Sequence, residues 1–166
     1  MQKILGSAIV LAASTAIGYE KGRELDAHVN ELETLKYIFT ILRKEMLSTK
    51  MIIPELLLKI SNKVDGSFRE WMCELGRGLQ MREQKTLEEI WDESIEKWFG
   101  KSKLTKSEKE ELYQVGRCLG YVEGIELYLD QLEIFIKKNR EEAANKKKMY
   151  QSIGVLGGLF LVIVLF

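Results

Sequence analysis

Apolar residues recur every three or four positions along most of the chain, and the two ends are apolar with no charge at all. This spacing is typical of amphipathic helices, and no stretch alternates apolar and polar residues as a half-buried strand does. The clearest stripe lies between Glu24 and Thr49. It consists of Leu25, Val29, Leu32, Leu35, Phe39, Leu42 and Met46. The pattern predicts an all-α protein.

Start and stop signals divide the middle of the chain into six predicted helices. Pro54 suits the first turn of a helix, and Ser67, Thr86 and Thr105 are each followed three residues later by Glu, as in a capping box. Gly100 is expected to stop the fourth helix in a left-handed conformation. The predicted bounds are about Glu24–Thr49, Ile53–Lys63, Ser67–Met81, Thr86–Phe99, Thr105–Leu119 and Tyr121–Lys148. Six such helices predict an antiparallel bundle.

The charge-free ends are Ile4–Tyr19 and Tyr150–Phe166, each about 16–17 residues long. As helices they would span about 25 Å, at the short end of what crosses a hydrocarbon core of about 30 Å. Flanking lysine stems extend that reach. We therefore expect the six-helix bundle, residues 21–148, to be flanked by N- and C-terminal transmembrane helices at residues 1–20 and 149–166.

Basic residues cluster on the inner side of both apolar ends, which predicts a cytoplasmic bundle with both termini outside the cell membrane. The run Lys146, Lys147 and Lys148 is expected to contact anionic lipid headgroups. A cleaved signal peptide is the alternative for the first segment, and it would leave an exported bundle held by its C-terminal end. Lys21 and Arg23 directly after the segment argue against export.

Small residues at helical spacing occur in both apolar ends. Gly154 and Gly158 form a GxxxG pair with Gly157 beside them, and Ser14 and Gly18 form a second small pair. Such faces let helices approach closely in lipid, so we expect them to pack. The alternative is that glycine is simply common in membrane helices.

Two further patterns concern the bundle. Gly116, Gly120 and Gly124 either line one face of a continuous helix or mark a helix boundary near Gly120. The three tryptophans are expected in the core or at its rim, or alternatively at an interface. They are Trp71, Trp91 and Trp98.

Composition and motifs point away from catalysis. The chain has 25 basic and 25 acidic residues, so net charge gives no attraction to nucleic acid. Cys73, Cys118 and His28 do not form a zinc-binding set, and no phosphate loop, nucleophile elbow or HExxH motif is present. We therefore expect no enzyme, with no catalytic, cofactor-binding or metal-binding residues and no small-molecule substrate.

The order of these features resembles the stage III sporulation protein AB family of endospore-forming bacteria. The stretches that carry the resemblance are Ile17-Gly18-Tyr19, Leu35, Ile41-Leu42-Arg43, Glu45, Ile53-Pro54-Glu55-Leu56, Gly116, Leu119-Gly120, Lys148-Met149-Tyr150 and Gly154-Val155-Leu156-Gly157-Gly158. Val122 and Glu123 stand where the family usually has Ser-Asp.

The resemblance implies a function that the residues alone do not. Family members belong to the channel that joins the mother cell to the forespore, and they resemble the cytoplasmic six-helix domain of type II secretion platform (F) proteins. The chain would then be an adaptor in the mother-cell membrane around the forespore. Its implied partners are a secretion-type ATPase, other membrane subunits of the channel and the lipid bilayer, with a homo-oligomer possible.

The expected partner face, or its support, is a set of six residues. They are Glu45, Pro54, Gly116, Arg117, Gly120 and Glu123. The competing interpretation is a generic membrane-tethered helical scaffold that is unrelated to secretion.

Overall fold

A computed structural model of the chain describes residues 2–81 and 85–165. Within these ranges it describes all side chains except those of residues 2–11, 158, 161, 162, 164 and 165. The predicted packing residue Gly158 therefore lies outside the part whose packing is described.

The described residues form six α-helices and no strand, which confirms the predicted all-α class. The helices are α1 (Gln2–Ser48), α2 (Ile53–Ser61), α3 (Gly66–Gln80), α4 (Leu87–Phe99), α5 (Lys106–Cys118) and α6 (Val122–Leu165). The first and last helices continue without a break into the apolar ends of the chain.

The chain divides into two compact units. The bundle unit is Glu31–Ile136, and the terminal unit combines Met1–Asn30 with Lys137–Phe166. Helices α1 and α6 are the longest, and each has one part in the bundle unit and one part in the terminal unit.

The core of the bundle unit is built on the apolar stripe of α1. Leu32, Leu35 and Leu42 have no exposed surface, and burying one such side chain contributes about 1.5–3 kcal/mol. The other helices each add apolar residues to the same cluster. The period of the stripe therefore sets which face of α1 the shorter helices cover.

Aromatic rings fill the centre of this core. The Trp71 ring centroid lies 4.7 Å from that of Phe99 and 5.7 Å from that of Trp91. Phe39 of α1 lies 6.3 Å from Trp91, edge to face. Trp71 and Trp91 are thus core residues, whereas Trp98 is only half-buried.

The two buried indoles also have their polar atoms satisfied. Trp71 donates its N–H to Ser94 Oγ at 2.6 Å, and Trp91 donates to the carbonyl of Leu112 at 2.9 Å. An unpaired buried donor would cost about 1–3 kcal/mol, so these bonds allow tryptophan to occupy the core.

Ion pairs show that α1 and α6 run antiparallel within the bundle unit. Lys36 pairs with Glu133 at 2.6 Å. About two turns further along α1, Arg43 pairs with Glu126 at 2.5 Å. The order along α6 is the reverse of that along α1. Between them along the chain, α2 packs on α3, α3 on α4 and α4 on α5.

Two of the three predicted capping boxes are confirmed, and the third is wrong. Thr86 and Thr105 each accept a hydrogen bond from the backbone of the Glu three residues later, and that Glu side chain bonds back, as a capping box requires. Ser67 is not a cap, because α3 begins one residue earlier with Asp65 at its N-cap. Gly66 makes this possible by adopting a φ of 61°.

The left-handed stop expected at Gly100 is also wrong. Gly100 ends α4 with right-handed angles, φ −52° and ψ −40°, and its N–H donates to the Glu96 carbonyl. After Gly100 the chain makes one more turn, which is closed by a hydrogen bond from the N–H of Ser102 to the carbonyl of Phe99.

Gly116, Gly120 and Gly124 lie across the boundary between α5 and α6 and do not line one face of a continuous helix. Helix α5 ends at Cys118, and Gly120 lies in the turn that follows. Gly116 and Gly124 still permit close approach, each to a different neighbour. A Cβ on Gly116 would lie 2.3 Å from the Trp91 ring, and one on Gly124 would lie 2.4 Å from the Cβ of Cys118.

The expected flanking transmembrane helices are not supported. Among the described residues, no helix contains a stretch that is both long enough and apolar enough to span a membrane. The charge-free part of α1 falls short of the roughly 20 residues that a span needs, and it includes Ser, Thr and Gly.

Replacing Gly66 with Ala is expected to destabilise the protein by about 1 kcal/mol, because a side chain with a Cβ disfavours positive φ. A Cβ there would meet no atom within 4 Å, so the cause is backbone strain and not a clash. Gly66→Asn should lose less, since Asn tolerates this conformation. Chemical unfolding of the full chain in detergent measures the change, and an unchanged stability of Gly66→Ala would contradict the strain.

Gly116→Ala should destabilise the protein by about 2 kcal/mol, because overpacking against the buried Trp91 ring outweighs the gain in helix propensity. The matched control is Gly78→Ala on α3, where a Cβ would lie 3.6 Å from Ile90. That control should be more stable than the parent by about 0.5–1 kcal/mol. If both variants gained stability in the same unfolding experiment, the Trp91 ring would not be confined.

Candidate docking site

An apolar groove opens on the bundle unit at a place where several helix ends meet. These are the C-terminal ends of α1 and α3, the N-terminal ends of α2 and α4, and the turn between α5 and α6. Its volume is about 700 Å³. The residues that line it are Met46, Met51, Ile52, Ile53, Pro54, Leu79, Gln80, Leu87, Gly120 and Val122. We call this feature the apolar groove. It brings together Pro54 and Gly120, two of the six residues expected at the partner face.

Large apolar side chains stay exposed on and next to the segments that line the groove. Ile52 is 59% exposed and Met51 38%. Met81 follows α3 at 77% exposure, and Tyr121 precedes α6 at 68%. Exposed apolar patches on folded proteins mark protein or membrane interaction sites or ligand-binding grooves, so this groove is a candidate docking site. Unbranched methionines let such a surface adapt to the shape of a partner.

Glu45 connects α1 to α2 beside the groove. Its residue is only 8% exposed, and its carboxylate accepts hydrogen bonds from Lys59 Nζ at 2.6 Å and Lys63 Nζ at 3.3 Å. The hydrogen bond from Lys59 is the main reason why the pKa of Glu45 lies below its usual range. Its backbone carbonyl also accepts from Thr49 at the end of α1. Glu45 therefore fixes both sides of the connection that supplies Met51 and Ile52.

Pro54 sits in the first turn of α2, as predicted, and its carbonyl faces α3 closely. A Cβ on Gly76 would lie 3.1 Å from that oxygen and 2.9 Å from Leu58 Cγ. Gly76 thus sets the spacing of α2 and α3 beside the groove. It was not among the predicted site residues, although a buried glycine inside a helix is a sign of close packing.

The other three residues of the expected face are not part of the groove lining. Gly116 is buried against Trp91. Arg117 is exposed and pairs with Glu88 at 2.8 Å, which joins α5 to α4. Glu123 is exposed in the first turn of α6, next to the groove residue Val122.

Sequence reasoning missed most of the groove lining. The signal that could have found it is the apolar run Met51-Ile52-Ile53, which lies between two helices and directly before Pro54. Apolar residues in a connection cannot follow a helical stripe, so they belong either to the core or to an exposed contact surface.

In the terminal unit, α1 and α6 meet through small residues. A Cβ on Gly154 would lie 2.9 Å from the carbonyl oxygen of Ser14, and one on Gly18 would lie 2.7 Å from that of Tyr150. Gly22, which was not predicted, continues the same seam against the stem of Lys147. Gly157 is exposed and a Cβ there would meet nothing within 4 Å.

The three lysines expected at a membrane surface differ in their surroundings. Lys146 pairs with Glu142 at 2.8 Å, and Lys147 pairs with Asp26 of α1 at 2.5 Å. The hydrogen bond to Lys146 holds the pKa of Glu142 below its usual range. Lys148 is exposed.

Reactive groups are dispersed over the described part of the chain. No three His, Cys, Asp or Glu side chains there lie close enough to hold a metal ion. Burial raises the pKa of the Cys118 thiol, which keeps it protonated, and burial together with Glu88 raises that of Asp92. Neither group lines the apolar groove, and none of the residues that line it is titratable.

Comparison with known proteins gives one consistent result. The family model described as stage III sporulation protein AB matches residues 3–166. A protein of Bacillus subtilis (strain 168) named stage III sporulation protein AB is 25% identical over 175 residues, which cover 99% of each chain. No solved structure matches.

Because the family model matches nearly the whole sequence, the chain belongs to the stage III sporulation protein AB family.

Proposed function

We propose that the chain is a non-catalytic adaptor of the sporulation channel between mother cell and forespore. In this proposal the apolar surface of the terminal unit holds the chain at the mother-cell membrane, and the bundle unit lies in the cytoplasm. The bundle unit docks a secretion-type ATPase through the apolar groove. The ATPase is chosen on the likeness to type II secretion platform (F) proteins that the sequence resemblance implies; the family match itself names only stage III sporulation protein AB.

The apolar groove is the observation that carries the proposal. In the core of the bundle unit, Trp71 and Trp91 are each 1% exposed. At the groove, Met51 and Ile52 stay in contact with solvent, and the buried core resumes only at Leu56 and Leu57. A groove of about 700 Å³ is wide enough to receive apolar side chains from one face of a partner helix.

A docking surface must also hold its shape, and Glu45 provides this. Its carboxylate accepts hydrogen bonds from Lys59 of α2 and from Lys63 in the turn after α2, while its own backbone lies in α1. The connection between α1 and α2, which carries Ile52, is therefore tied at both ends. Rigid presentation reduces the entropy lost when a partner binds.

The terminal unit supports the membrane part of the proposal. Its exposed apolar residues on α6 include Ile153, Leu156, Phe160 and Ile163, each more than half exposed. Surface of this kind is unfavourable in water and favourable against lipid chains. The basic residues next to it favour an anionic cytoplasmic surface.

Ile52→Glu is expected to lower recovery of the partner ATPase at least tenfold, because it places a charge against apolar surface at a cost of about 2 kcal/mol. The matched control is Leu127→Glu, since Leu127 is 69% exposed on α6 and does not line the groove. Recovery is measured by affinity purification of the full chain from detergent-treated membranes of sporulating cells, followed by quantitative mass spectrometry.

Equal recovery with both variants would remove the groove from the proposal. Recovery of no ATPase and no channel subunit with the unmodified chain would favour the generic membrane-tethered scaffold instead.

Glu45→Gln should lower both ATPase recovery and thermal stability near neutral pH. Because the pKa of Glu45 is lowered in the folded state, its carboxylate stabilises the fold above the pKa of the unfolded chain, and this contribution is lost as pH falls through the folded value. The difference in melting temperature between variant and parent should therefore shrink below about pH 4.

Glu93→Gln is the control for this measurement, because Glu93 also pairs with a lysine but is exposed. We expect little change in its melting temperature at any pH, as is usual for exposed pairs. A pH-independent loss in Glu45→Gln would mean that packing, and not ionisation, is responsible.

A further inference from the structure

A second groove on the bundle unit follows the outer face of α3, beside the end of α4. Its volume is about 770 Å³, and the side chains that line it include Glu70, Cys73, Glu74 and Arg77 of α3 and Trp98 of α4. We call it the α3 groove. It differs from the apolar groove in that it carries charges of both signs.

Two opposite charges on this face are not neutralised by a neighbour. Glu74 pairs with Lys97 of α4 at 2.6 Å, so its charge is compensated within the bundle unit. The side chains of Glu70 and Arg77 are exposed, and neither forms an ion pair or a hydrogen bond within the part of the chain that the structure describes. Arg69 is also exposed and lies at the edge of the same face. The face therefore offers one carboxylate and one guanidinium to a partner.

The spacing of these two charges makes the face complementary to itself. Glu70 and Arg77 are seven residues apart, which places them on one line of α3, about 10.5 Å apart along its axis. A second α3 that ran antiparallel against the first would present the same line in reverse. Each Glu70 would then lie level with the other copy's Arg77, and both ion pairs would form at once. A two-fold interface has this reciprocity, in which residue i contacts j and j contacts i.

The sizes of the side chains at the ends of α3 match in the same arrangement. Met81 follows α3 and is 77% exposed. The position level with it on the antiparallel copy is Gly66, where a Cβ would meet nothing within 4 Å. The flexible methionine can therefore fill the space beside the glycine of the other copy. Large opposite small at both ends allows the two helices to approach along their whole length.

We propose that the α3 groove is a two-fold interface with a second copy of the chain, in which α3 packs antiparallel on α3. Reciprocal ion pairs between Glu70 and Arg77 fix its register. One face of a 15-residue helix is small beside interfaces that bury about 1,200–2,000 Å², so the association is weak and depends on concentration. The proposal concerns the bundle unit alone and is independent of which protein the apolar groove docks.

Cys73 provides a direct test of this interface. It is a half-buried free thiol on the same face of α3, and it lies midway between Glu70 and Arg77, close to the proposed two-fold axis. A short bis-maleimide crosslinker added to the full chain in detergent should therefore join two copies, which denaturing gel electrophoresis detects as a dimer. Cys73→Ser should abolish this product. Cys118→Ala, which removes the other free thiol, on α5, should keep it.

Charge reversal tests the register. Glu70→Arg should lower the yield of crosslinked dimer about tenfold, because it places arginine opposite arginine at both symmetric positions. Arg77→Glu should do the same by placing glutamate opposite glutamate. A mixture of the two variants in equal amounts should recover the dimer, because a chain of each kind then meets opposite charges at both positions. Simple damage to α3 would not be rescued by mixing.

Glu110→Arg is the matched control, because Glu110 is exposed on α5 and does not line the α3 groove. Its dimer yield should equal that of the parent.

Four results would overturn the proposal. A parent chain that gives no dimer as its concentration is raised would mean that the charges of the α3 groove are simply solvated. A dimer that persists in Cys73→Ser would place the contact elsewhere. An unchanged yield in Glu70→Arg would remove the ion pairs. The last is a mixture that gives no more dimer than the separate variants, when each retains its helical content by circular dichroism.

Discussion

The enclosure of the Trp91 ring is the constraint on which the rest of the bundle unit depends. The ring contacts Phe39 of α1, Trp71 of α3 and Gly116 of α5, and its N–H is held by the carbonyl of Leu112. Four helices are therefore positioned by one side chain. Close-packed cores transmit small changes in volume, so the absence of a side chain at Gly116 is part of the same interaction.

This tight centre makes the open groove informative. Helices that are fixed around Trp91 cannot move inward to cover Met51 and Ile52, and Glu45 prevents the connection between α1 and α2 from folding away. The exposed apolar surface is thus maintained by the fold and is not a local packing fault. Such surface is typical of places where a protein contacts another protein, a ligand or a membrane.

The sequence was sufficient for elements whose signals are local. The stripe of α1 and the capping boxes at Thr86 and Thr105 depend on residues within one or two turns, and the structure confirms them. The predictions at Ser67 and Gly100 failed because the conformation of the adjoining turn decided the helix ends. The groove could not be predicted in full, since five segments that are distant in sequence line it.

Polar side chains in the described bundle unit serve its structure. In the bundle unit, the buried or half-buried polar side chains with defined partners hold helices together: Glu45 binds two lysines, and the indoles of Trp71 and Trp91 bind Ser94 and a backbone carbonyl. A catalytic site instead keeps a titratable group poised in a cleft. The groove is lined by methionine, isoleucine, leucine and valine. The groove therefore offers apolar contact area in a shape that the surrounding helices fix.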